Sequence, residues 1–168
     1  MRQILVLSIV LCSCDGGDDG VNADAAPGGG GAAMITVSGA QDAVMPALAV
    51  ASKVSSDDFW TFGVSITSPQ SGFTSASASI SLFGAPATGS YPASTFRIGV
   101  LEASTSGGME WAAFTTPTSG TVGDLEITSV QPGATIGNTT LYTVHGTLAM
   151  GTMVSSGGGA SLMMRASF

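Results

Sequence analysis

The residues best suited to chemistry are two glutamates, Glu102 and Glu110, which a short glycine-containing stretch separates. If 96–103 and 109–114 form a hairpin, Glu102 lies directly opposite Glu110. Like charges so placed repel each other, which favours a bound metal ion or a shared proton. Paired carboxylates are also the groups that carry out glycoside hydrolysis. A register shifted by one residue would instead place Glu102 opposite Trp111 and leave both carboxylates solvated.

Aromatic side chains offer a second kind of site, a platform on which a sugar ring stacks. Trp60 continues an apolar stripe with Phe62 and Val64, which indicates a core residue. Trp111 and Tyr91 are therefore the candidates for ligand binding, and glutamates 102 and 110 are the candidates for a metal.

Other side chains give no catalytic assignment. His145 is the only histidine, no Gly-x-Ser-x-Gly turn accompanies it, and alternation along its strand places it on the outside. If Cys14 is the lipid-bearing first residue of the mature chain, one histidine and one lipid-modified cysteine cannot build a zinc site, which usually draws three or four ligands from His, Cys and carboxylates. The segment 18–24 is rich in aspartate but lacks the glycine position and the final glutamate of a calcium loop. We expect no catalytic residue and no cofactor.

The elements that must position these residues are β-strands, because apolar and polar residues alternate with a period of two. The alternation is strongest near 60–66, 75–82, 142–150 and 161–168, and weaker at 34–38, 47–54, 96–103, 109–114 and 119–130. Glycine- and proline-containing clusters, including Pro132-Gly133, predict turns between them, and Pro46 argues against a helix at 43–51. The pattern predicts an all-β protein with a single antiparallel β-sandwich or small β-barrel domain.

The charge balance excludes nucleic acid as a partner, and it excludes binding to anionic lipid through a polybasic patch. Charged residues make up 9% of the chain, against about 25% in typical proteins. Beyond residue 14 there are eleven acidic residues and three basic ones, Lys53, Arg97 and Arg165. No basic footprint exists for nucleic acid, and no polybasic patch exists for an anionic membrane.

The N-terminus has the layout of a secretion signal, with Arg2 followed by an apolar run from Ile4 to Leu11. The sequence Leu11-Cys12-Ser13-Cys14 then resembles the lipobox of bacterial lipoproteins, with Cys14 as the lipid-bearing residue. The alternative is an ordinary signal peptide that leaves Cys14 as a free thiol. The resemblance implies a signal peptide at 1–13, a lipidated Cys14, a disordered Gly/Asp/Ala tether over 14–33, and a β-domain over 34–168.

A weaker resemblance covers about half of the chain. The stretches 119–122, 125–130, 145–148 and 165–168 resemble a strand pattern of small uncharacterised all-β bacterial lipoproteins, as does Gly84–Tyr91. Leu148 stands where that pattern usually has an aromatic residue. The resemblance implies fold and location, and it transfers no functional residue.

Together these features predict an envelope lipoprotein held in a bacterial membrane, the outer membrane by expectation, through lipid on Cys14. Its β-domain would bind an envelope protein, a glycan or a small ligand, or coat the surface, without catalysis. The alternative is a glycan-acting hydrolase that uses Glu102 and Glu110.

Overall fold

The computed structural model of the protein describes residues 30–115 and 118–168. Most of this part of the chain is in β-strands, which confirms the predicted all-β class. The predicted signal peptide, Cys14 and the segment 18–24 lie outside the described residues, as does most of the predicted tether.

In the described part of the chain, eleven strands form one antiparallel sheet. A short 3-10 helix, Ala93–Thr95, precedes the sixth of these strands. The strands, numbered in chain order, are β1 Gly30–Gly39, β2 Ala43–Val54, β3 Phe59–Ile66, β4 Phe73–Phe83, β5 Gly89–Tyr91, β6 Ile98–Thr105, β7 Glu110–Thr115, β8 Thr118–Ser119, β9 Leu125–Ile136, β10 Thr139–Ser155 and β11 Leu162–Ser167.

Eight of these strands form a closed ring. Hydrogen bonding runs through β10, β11, β1, β2, β3, β4, β6 and β7, and β7 then pairs with the end of β10, where Ala112 lies opposite Val154. This connectivity is that of a small barrel, one of the two predicted alternatives. A ring of eight strands is just wide enough for side chains to fill its interior.

The core follows the predicted alternation. Trp60, Phe62 and Val64 of β3 are buried, and so are Ala76, Ala78, Ile80 and Leu82 of β4. The serines between the buried residues of β4 point to the other face, because successive side chains of a strand point to opposite sides. Many inward positions carry alanine, which leaves room inside the ring for the large aromatic side chains.

A bulge in β10 overturns one part of the predicted pattern. Between the pairs Leu148↔Ala166 and Gly151↔Met164, β10 contains one residue more than β11. The extra residue reverses the alternation. Met150, predicted to share a face with buried Leu148, is therefore 45% exposed, and Met153 is buried instead.

Three strand boundaries also differ from the prediction. β1 begins at Gly30, so 30–33 pair with β2 rather than belong to the tether. Pro132 and Gly133, predicted to form a turn, lie within β9. The predicted strand 119–130 is interrupted between β8 and β9.

Within the described residues, no helix has the length and apolar character needed to cross a membrane.

Candidate functional site

The β6–β7 hairpin carries both candidate glutamates on one face, but in a register different from the predicted one. Glu102 pairs with Ala112, and Glu110 pairs with Ser104. The prediction that Glu102 lies directly opposite Glu110 is wrong, and so is the alternative that it lies opposite Trp111. The two glutamates are diagonal neighbours, with Cα atoms typically about 7–8 Å apart in such a position.

The turn explains the shift. Thr105 donates its backbone N–H to Met109 O at 3.0 Å, and Gly108 donates to Thr105 O at 3.0 Å. The observed hairpin is therefore centred on Gly107, one residue later than the centre of the predicted Ser104–Gly108 turn, Ser106. Moving the centre by one residue moves each pairing by two, and a two-residue slip leaves every side chain on its original face.

Both glutamates line a surface depression of about 430 Å³ at the seam where β7 meets β10. Five serines line the same depression. The hydroxyl of one of them, Ser104, lies 2.7 Å from that of Thr74 and 2.8 Å from that of Ser75. Apolar surface comes from Phe114 and Val154. The depression therefore combines negative charge, hydroxyls and a small apolar wall.

The chemistry that this arrangement supports is limited by exposure. Glu102 and Glu110 are both exposed, whereas a carboxyl group that acts as a catalytic acid is commonly held in an apolar pocket. Calcium takes six to eight oxygen ligands. Within the described residues, no group of three or more His, Cys, Asp or Glu side chains is placed to hold a metal ion. The two carboxylates alone suit a weakly held cation or a polar ligand.

Trp111 is a core residue rather than an exposed stacking platform. Its side chain is 3% exposed, and its indole N–H donates to Ala160 O at 2.9 Å, which ties the β10–β11 loop to the hairpin. Trp111 lines the depression, and its ring centroid lies 6.4 Å from that of Phe73. The buried ring leaves little surface for stacking, and the role of Trp111 in ligand binding stays a prediction.

Tyr91 lies far from Trp111. Its ring packs edge-on against Trp60, with centroids 6.2 Å apart, and its hydroxyl donates to Ala87 O at 2.8 Å. Trp60 lies beside Leu82 near the end of β4, whereas Trp111 lies beside Phe73 at its start. At about 3.3 Å per residue, these positions are roughly 30 Å apart along β4. The structure does not bring the two candidate aromatics together.

The remaining candidate, His145, is exposed on β10, as predicted. Its backbone carbonyl accepts a hydrogen bond from the Thr128 hydroxyl at 3.1 Å.

Sequence reasoning did not identify the five serines of the depression, which are Ser75, Ser104, Ser119, Ser155 and Ser156. The alternation showed that serines cover the outside of β4. Which of them lie beside the glutamates depends on the pairing register and on the closure of β7 onto β10, and serine content alone does not indicate either.

No protein-family profile matches the chain. No curated protein and no solved structure matches it significantly.

Proposed function

We propose that the protein is a bacterial envelope lipoprotein, anchored by lipid on Cys14, whose β-domain binds a partner without catalysing a reaction. The observation that carries the proposal is the order charge, apolar run, Leu11-Cys12-Ser13-Cys14, and polar Gly/Asp sequence. Two or more acyl chains anchor a protein stably, whereas one holds it only marginally. The partner would be an envelope protein, a glycan or a small ligand, or the domain would coat the surface.

The geometry of the domain supports a binding role. Its interior is packed with side chains, and its hydroxyl-rich depression opens on the outer surface, where a partner reaches it directly. Exposed Glu102 and Glu110 suit recognition of hydroxyl or amine groups more than proton transfer in a dry pocket. The outer membrane, on either its periplasmic or its cell-surface face, is the proposed location.

Lipidation is tested by metabolic labelling with a palmitate analogue in a bacterial host, followed by detergent phase partitioning. The Cys14→Ser variant should lose both the label and the membrane fraction. Cys12→Ser is the matched control, since it removes the neighbouring thiol and leaves the proposed modification site intact. Labelling that survives in Cys14→Ser, or that is lost equally in both variants, would contradict the proposal.

The alternative function, hydrolysis of a glycan, rests on the two glutamates sharing one face and one depression. It predicts turnover of a soluble glycan that Glu110→Gln abolishes without unfolding the domain. The binding role predicts no turnover by either protein. It predicts instead that a bound glycan raises the melting temperature by mass action, and that Glu110→Gln reduces this rise.

A further inference from the structure

Four neighbouring strands of the ring contain no acidic residue. β10, β11, β1 and β2 include neither aspartate nor glutamate, although the chain as a whole is acidic. The acidic residues of the described chain all lie on other strands or in turns: Asp42, Asp57, Asp58, Glu102, Glu110, Asp124 and Glu126. The charge of the domain is therefore distributed asymmetrically around the barrel.

The outer surface of these strands is centred on Arg165. Directly opposite Arg165 on β1 is Thr36, and opposite Thr36 on β2 is Val44, which is 60% exposed. Three methionines surround the arginine and are exposed by similar fractions: Met34 by 39%, Met150 by 45% and Met163 by 37%. We call the surface formed by Met34, Val44, Met150, Met163 and Arg165 the Arg165 face.

A depression of about 400 Å³ lies in the middle of this face. Arg165 and Met150 line it together with the hydroxyl-bearing residues Thr36, Thr147 and Ser167. Arg165 is exposed and, among the described residues, forms no ion pair. A guanidinium beside hydroxyls binds phosphate well, because its planar array of N–H donors matches phosphate oxygens.

We propose that the Arg165 face docks on a phospholipid bilayer, with Met34, Met150 and Met163 in the interfacial region and Arg165 on a lipid phosphate. Methionine is flexible and polarisable, so it adapts to an irregular apolar surface. The lack of carboxylates on the four strands removes repulsion from phosphate at the contact. This inference rests on the proposed lipid anchor for the closeness of the membrane.

The position of the N-terminus favours a bilayer over other occupants. Residues 15–29 separate Cys14 from Gly30, the first residue of β1, and β1 is a central strand of the Arg165 face. Only fifteen residues join the proposed lipid to this face. Lipid on Cys14 would therefore hold this face near the bilayer at a high effective concentration, so that weak docking becomes well populated. A strongly anionic bilayer would repel the rest of the domain, because the domain is acidic. A single arginine therefore suits a bilayer of modest negative charge.

The test measures flotation with vesicles of phosphatidylethanolamine containing a minor fraction of phosphatidylglycerol. The protein is the mature chain carrying Cys14→Ala, so that binding does not depend on the anchor. We expect it to float with the vesicles, and we expect Met150→Glu and Met163→Glu each to reduce the bound fraction several-fold. Arg165→Gln should reduce binding to these vesicles and have less effect on vesicles of phosphatidylcholine alone.

Met109→Glu is the matched control. Met109 is also 45% exposed, but it lies at the β6–β7 turn, outside the Arg165 face. The inference is overturned if the parent chain does not float, or if Met109→Glu loses as much binding as Met150→Glu. It is also overturned if the face instead joins two copies, which sedimentation would show as a dimer that Met150→Glu dissociates. Circular dichroism confirms folding of each variant. If the chain with Cys14 intact takes up no palmitate label while the Cys14→Ala chain still floats, the lipid anchor is rejected and the docking inference stands.

Discussion

Trp60 and Trp111 are both buried, yet their indole N–H groups have different surroundings. The Trp111 N–H donates to Ala160 O at 2.9 Å, whereas the Trp60 N–H has no acceptor among the described residues. A buried polar group without a partner costs free energy. Trp111 therefore gains a hydrogen bond that Trp60 lacks, while both contribute aromatic packing.

This difference predicts unequal effects of the same substitution. Trp60→Phe and Trp111→Phe remove the same atoms, but only Trp111→Phe removes a hydrogen bond. We expect Trp111→Phe to lower the free energy of unfolding by about 1 kcal/mol more than Trp60→Phe does. Urea denaturation of the two variants measures the difference, and equal losses would contradict it.

Gly146 is fixed by steric contact rather than by an unusual backbone angle. It exchanges two backbone hydrogen bonds with Phe168, and a Cβ atom at this position would collide with the Glu126 carbonyl oxygen. Gly146→Ala should therefore destabilise the domain by ~1–3 kcal/mol or more. Gly107→Ala is the control, because its nearest neighbour would be the Thr105 hydroxyl at 3.8 Å, and its melting temperature should stay close to that of the parent.

At the scale of strands, the sequence predicted where most strands lie and which residues point inward, but not how the strands pair. Alternation gives the face of each side chain, as for Trp60 and Phe62, because the period of a strand is two. The position of Glu102 relative to Glu110 depends on where the hairpin turn is centred. The exposure of Met150 depends on one extra residue between Leu148 and Gly151. Turn centres and bulges are set by contacts with other strands, which a single sequence does not show.

β11 lies between β10 and β1 in the ring, while the start of β10 also pairs directly with β2. Adjacent methionines on β11 give a matched pair: Met164 is fully buried and Met163 is exposed. We expect Met164→Ala to cost about 2–5 kcal/mol of stability, and Met163→Ala to cost less than about 0.5 kcal/mol. Thermal denaturation compares the two, and similar losses would show that β11 does not face the core as described.

The chain end after β11 is also part of the fold. Phe168 packs against Phe62 with ring centroids 4.5 Å apart, and its backbone pairs with Gly146. Deleting 162–168 would remove the strand between β10 and β1 and expose the core side of both neighbouring strands. We expect far-UV circular dichroism of the deletion variant to lose its β-sheet signal, and retention of a cooperative thermal transition would contradict this.

At the scale of the whole molecule, the barrel carries two depressions whose linings share only β10. The depression with Glu102 and Glu110 lies at the β7–β10 seam, and the Arg165 face lies on the four strands without acidic residues. In the proposed function, lipid on Cys14 and the Arg165 face hold the domain at the membrane. The acidic, hydroxyl-rich depression would then be available to a partner.

The most direct test of the lipoprotein proposal is the mass of the amino-terminal peptide of the mature protein, extracted with detergent from membranes of a bacterial host. The proposal predicts a peptide that begins at Cys14 and carries the mass of a diacylglyceryl group with an amide-linked acyl chain. A peptide that begins elsewhere, or one with an unmodified Cys14 thiol, would contradict it.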